Sequence, residues 1–217
     1  MSIFDLLAQI LNVKTIFRFI LLALLPAALF YIVSILTLKG AGFNLVEILR
    51  DPAQQSEKSS FLGFLSNIGV WIWVSSAAIC FFAAATVRDT KSNSKRKELL
   101  LLVGTFSLLL AVDDLFLIHD RYINEYLCYA VYAFLALALM ARHYRTIAEI
   151  DGFAFLAAGS LLASSIMTDL IQDHITLRYS YSQVFEEGFK FMGAAAWLYF
   201  SFRIAADSKR AVTEKSR

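Results

Sequence analysis

Three carboxylates and a histidine crowd the stretch Asp113-Asp114-Leu115-Phe116-Leu117-Ile118-His119-Asp120, which closes an otherwise apolar run from Leu99 to Val112. A second stretch, Asp169-Leu170-Ile171-Gln172-Asp173-His174, ends another apolar run. Both fit the pattern Gly-x9-Asp-Leu-x3-His, counted from Gly104 and from Gly159, and the pair Glu186-Glu187 follows. Ionisable residues inside apolar spans are costly and mark functional sites. Their charge must be met by a cation, a proton or hydrogen bonds.

Imidazole with carboxylate suits a divalent transition metal: zinc, iron or manganese. On that reading Asp114, His119, Asp169, His174 and Glu187 are the metal ligands. Asp113 or Glu186 is then the general base, and a metal-bound water is the nucleophile. The paired Glu-x-x-His signature of di-iron bundles is absent from the sequence, so no di-iron centre is expected. Two other uses of the same residues are acid–base chemistry on paired carboxylates without metal and a neutralised structural network with Arg121, Arg178 and Lys190. Helical phase constrains all of these. Asp169 and Asp173 share a face, but Asp to His at i+5 is about 140° apart on a regular helix. Each histidine reaches its aspartate only where the helix end unwinds or bulges.

The segments that carry these residues are apolar and long. The chain has 217 residues, 59% of them hydrophobic, with a net charge of +2. A soluble domain averages about 45–50% apolar residues, and the excess here lies in runs of membrane-crossing length, about 20 residues each. The expected fold is all-α: a polytopic membrane protein with six transmembrane helices, at 15–38, 66–87, 99–118, 122–141, 153–172 and 187–206. Residues 1–13 read as a short interfacial amphipathic helix, 14–207 as the transmembrane domain and 208–217 as a polar tail. The shared pattern makes spans three–four and five–six a candidate helix-hairpin repeat. The small residues Gly159, Ser160, Ala163 and Ser164 are expected to mark close helix packing. Trp71, Trp73 and the tyrosines Tyr122, Tyr126, Tyr129, Tyr179 and Tyr181 are expected to form interfacial aromatic belts.

Most of the 20 Lys and Arg fall in the N-terminal segment, the 88–98 loop, the Arg142–Arg145 loop and the tail. The positive-inside rule then puts both termini in the cytoplasm. The acids of spans three to six gather at the outer end. Asp113 and Asp114 sit roughly 20 Å from the inner edge of a core about 30 Å thick. The expectation is a bacterial inner-membrane protein that hydrolyses a lipid or lipid-linked substrate at an outward site. Its partner is the bilayer and no nucleic acid. Ion- or proton-coupled transport and a scaffold role in a larger membrane complex are the alternatives. Cys80 and Cys128 lie in apolar runs and read as small hydrophobes.

Overall fold

A computed structural model describes residues 17, 21, 25–49, 52–59, 61–87, 94–171 and 179–214. The expected interfacial helix at 1–13 lies outside them, as does His174. Among the described residues every regular element is helical. The chain divides into two compact units, Met1–Leu62 and Gly63–Arg217.

The first unit holds α1 (Leu25–Gly40), α2 (Leu45–Leu49) and α3 (Pro52–Gln55). α2 starts with a reciprocal cap. The Asn44 N–H donates to Glu47 Oε2 at 2.8 Å, and the Glu47 N–H donates to Asn44 Oδ1 at 3.0 Å. Two otherwise unpaired amide donors are satisfied in this way.

The second unit holds α4 (Phe64–Thr86), α5 (Ser94–Phe116), α6 (Ile118–Arg121), α7 (Glu125–Ile171) and α8 (Tyr179–Glu214). Three of these, α4, α5 and α7, are long and apolar enough to cross a membrane. α7 spans 47 residues, but His143 and Asp151 leave helical geometry inside it. The helix doubles back there. Tyr129 and Asp169, 40 residues apart, are joined by a 2.8 Å hydrogen bond, whereas a straight helix would hold them about 60 Å apart. The two halves of α7 are therefore antiparallel, and the chemistry on Glu125–Ala133 returns to the chemistry on Ser165–Asp169. α8 continues through the expected polar tail as far as Glu214.

The core is where α4, α5, α7 and α8 meet, around Trp73, Cys80, Val103, Phe155, Trp197 and Phe200. Gly104 lets α5 lie against α4: a Cβ there would stand 2.9 Å from Phe81 Cε1. Gly193 does the same for α8 against α7, since its Cβ would stand 2.8 Å from Leu162 Cγ and 3.1 Å from the Leu162 amide nitrogen. The indole N–H of Trp197 donates to Ser107 Oγ at 2.8 Å, wholly buried. That bond pins α8 to α5 while satisfying a polar group that would otherwise be costly to bury. Large apolar side chains such as Leu101, Leu108, Phe134 and Phe202 are exposed on the outside of the unit, as expected of helices whose solvent is lipid.

Candidate functional site

The last turn of α5 does not continue into α6. Leu117 takes φ +53°, a left-handed conformation unusual for a side chain with a Cβ. This break resolves the phase problem of the Asp113-to-His119 spacing. The chain turns back so that the His119 N–H donates to Asp113 Oδ1 at 2.9 Å and the ring Nδ1 meets Asp113 Oδ2 at 2.6 Å. The other ring nitrogen, Nε2, lies 3.3 Å from Asp120 Oδ1. With a carboxylate on each side, His119 is held above its ordinary pKa, first by the hydrogen bond to Asp113. Asp113 itself is only 4% exposed. A left-handed residue and a buried carboxylate accepting two hydrogen bonds from one histidine form a strained but fully satisfied corner.

Asp114 points the other way around α5, toward α4, and accepts the Trp73 indole N–H at 2.9 Å. Asp169, near the end of α7, accepts the Tyr129 hydroxyl. Glu186, in the second turn of α8, accepts the Gln183 side-chain amide at 2.7 Å, while its main-chain carbonyl takes the Ser165 hydroxyl at 2.9 Å. One turn on, Lys190 Nζ pairs with Glu187 Oε1 at 2.7 Å.

Asp113, Asp114, His119, Asp169, Glu186 and Lys190 converge on one cavity of about 480 Å³. The volume falls in the range of small-molecule sites, about 300–1,000 Å³. These charged groups occupy one end. The remainder is apolar and aromatic, with Phe106, Tyr132, Met140, Phe155, Leu162 and Trp197 in its wall. The rim on the α7 side is low. Ala133, Gly159, Ser160 and Ala163 line it and are themselves exposed, and an added Cβ on Gly159 would meet nothing within 4 Å. The stripe expected to pack a neighbouring helix instead leaves an opening between the two halves of α7.

Of the residues expected to hold a metal, Asp114, His119 and Asp169 share the cavity, whereas Glu187 faces a small neighbouring crevice with Trp73, Asp114 and Lys190. Among the described residues no three His, Cys, Asp or Glu come close enough to hold one ion. Each of these four residues already has a partner within the protein, and His119 has a carboxylate beside both nitrogens. A doubly donating imidazolium has no lone pair for a metal. The two residues expected to act as bases, Asp113 and Glu186, both line the cavity.

Four cavity residues escaped assignment to a site from the sequence: Trp73, Tyr129, Tyr132 and Lys190. Trp73 was expected in the aromatic belt with Trp71. Trp71 is 66% exposed and fits that reading, but Trp73 is 2% exposed. The signal was available, since two residues apart on a helix is about 200° of rotation and both indoles cannot face lipid. The tyrosines divide likewise. Tyr122 and Tyr126 are exposed, while Tyr129 and Tyr132 turn inward, one onto Asp169 and the other toward Asp113.

A family profile described as Domain of unknown function (DUF8692) matches residues 17–204. The chain belongs to the DUF8692 family. The matched region takes in both acidic stretches, the bend of α7 and Lys190, so the cavity lies wholly within the DUF8692 domain. No curated protein and no solved structure matches the chain.

Proposed function

We propose that this protein is a bacterial inner-membrane protein that draws a lipid or lipid-linked amphiphile from the bilayer into the α5–α7–α8 cavity and holds its head against the acid/histidine end. The single observation that carries the reading is the shape and polarity of the cavity: an aromatic and apolar chamber, low-walled toward the lipid-exposed face of α7, with six ionisable residues gathered at one end. An apolar cavity with a few convergent polar groups is what an amphiphile requires. The distribution of Lys and Arg orients the chain with both termini and the α7 bend in the cytoplasm and the charged end outward. In this reading the two halves of α7 and the helices α1 and α8 complete six spans.

Hydrolysis of the bound molecule is the favoured use of the site. Asp113 fixes the His119 ring, and Glu186 is the carboxylate placed to take a proton from an attacking water. A metal would act here only if His119 gave up its proton and left one of its carboxylates. Elemental analysis of the purified protein, before and after His119→Ala, tests that version.

Trp73 and Trp197 line the cavity, and Trp71 is the remaining tryptophan in the chain. In a Trp71→Phe background, a brominated single-chain lipid added to detergent-solubilised protein is expected to quench the two cavity indoles saturably, at one molecule per chain. Ala163→Trp obstructs the rim, and with its added indole accounted for, saturable quenching of the cavity pair is expected to disappear. Quenching that rises linearly with lipid in both forms would refute the reading.

A further inference from the structure

The charged end of the cavity is unevenly balanced. Among the described residues its two basic groups are already committed: Lys190 to Glu187 at 2.7 Å and His119 to Asp113 at 2.6 Å. Asp114 and Glu186 receive hydrogen bonds from neutral donors, the Trp73 indole and the Gln183 amide. A neutral donor satisfies one lone pair of a carboxylate and adds no positive charge, so the single Lys190 ammonium is shared among Asp114, Glu186 and Glu187. The surrounding wall is aromatic. Trp73, Phe106, Tyr129, Tyr132, Phe155 and Trp197 all line the chamber, and aromatic faces attract cations. An anionic head would meet repulsion from Asp114 and Glu186 in a medium of low dielectric, where like charges interact strongly.

Building on the amphiphile-holding reading, we infer that the cavity selects amphiphiles with a cationic head, a long-chain amine or an amine-headed lipid, with the ammonium seated between Asp114 and Glu186 and the chain along Phe106, Tyr132 and Trp197. Excess carboxylate and aromatic rings are complementary to a cation, and the apolar chamber to its tail. Membrane lipids with phosphate and no amine are disfavoured by the same charges.

The test is competition for the brominated probe in the Trp71→Phe protein by three twelve-carbon amphiphiles: dodecylamine, dodecanol and dodecanoate. Dodecylamine is expected to displace the probe at a concentration at least roughly tenfold below dodecanol, with dodecanoate weakest, as befits a charge-assisted hydrogen bond. Glu186→Gln is expected to narrow the gap between amine and alcohol to about threefold, and Asp114→Asn to narrow it likewise; comparing ratios removes differences in micelle partitioning. Equal displacement by amine and alcohol, or strongest displacement by dodecanoate, would overturn the cationic preference while leaving the cavity's lipid reading intact. Saturable probe binding that none of the three displaces also overturns it. Absence of saturable binding by the probe itself overturns both.

Discussion

At the bend end of the second unit, acids meet arginines near the surface. Arg142 pairs with Glu98, Arg203 Nε with Asp151 Oδ2 at 3.1 Å, and Arg96 Nη2 with Asp207 Oδ2 at 3.1 Å. At the opposite end, Asp113, Asp114, Asp169 and Glu186 lie around a cavity and are met by a histidine, an indole, a phenol and an amide. Both ends hold carboxylates, and both fall at the ends of apolar helices. The difference is the partner. At the bend each of these carboxylates has its own arginine, whereas at the cavity neutral and titratable donors orient the carboxylates and one lysine, Lys190, is shared among Asp114, Glu186 and Glu187. A fold that needed only solvated ends would have used arginine at both.

The largest expected effect of breaking this contrast is at Lys190. It is the cation nearest both Glu187 and Asp114, with a side chain 29% exposed. Glu187 is 39% exposed and screened by solvent, so the cost falls mainly on Asp114, and Lys190→Met is expected to destabilise the protein by about 2–3 kcal/mol. Thermal unfolding in detergent, followed by a thiol-reactive dye on the buried free Cys80 and Cys128, measures it. Trp73→Phe removes the N–H to Asp114 together with part of a buried ring, with an expected cost of about 1–3 kcal/mol by the same assay. A cost no larger than that of Trp71→Phe would return Trp73 to the belt.

The apolar spans were legible in the sequence because lipid-facing and core residues are both apolar, so hydropathy alone places α4, α5 and the two halves of α7. The association of Asp113 with His119 was legible as a condition: the spacing demanded a broken helix, and Leu117 supplies the break. What the sequence hid was direction. Gly104 and Gly159 occupy equivalent places in the shared pattern, yet one is pressed against Phe81 and the other faces open space. The Gly-x9-Asp-Leu-x3-His pattern is therefore served by different packing in its two copies. Trp73 and Tyr129 look like belt residues because type and depth are visible in a sequence, whereas the inward face is set by neighbours 41 and 40 positions away. Lys190 was visible as a neutraliser of Glu186 and Glu187, but its place in the cavity wall depends on α8 packing against α4 and α5.

Two smaller effects sharpen the same comparison. His119 has a folded-state pKa raised by Asp113. Its stabilising contribution is therefore complete below the unfolded histidine value, about 6.5, and is lost as pH rises through the higher folded value. The melting temperature is expected to fall as pH rises above that unfolded value, and His119→Gln is expected to remove that dependence. A melting temperature that rises over the same range would contradict the pairing. At the bend, Glu98→Gln is expected to cost no more than about 1 kcal/mol, because the Arg142 partner is 64% exposed and such pairs are screened. A loss as large as that from Lys190→Met would erase the distinction between the two ends.

The most direct measurement is native mass spectrometry of the chain released gently from detergent. The account predicts one amphiphile retained per chain in the natural sequence and none in Ala163→Trp. A bare chain in both, or an adduct that survives the obstruction of the rim unchanged, would contradict it.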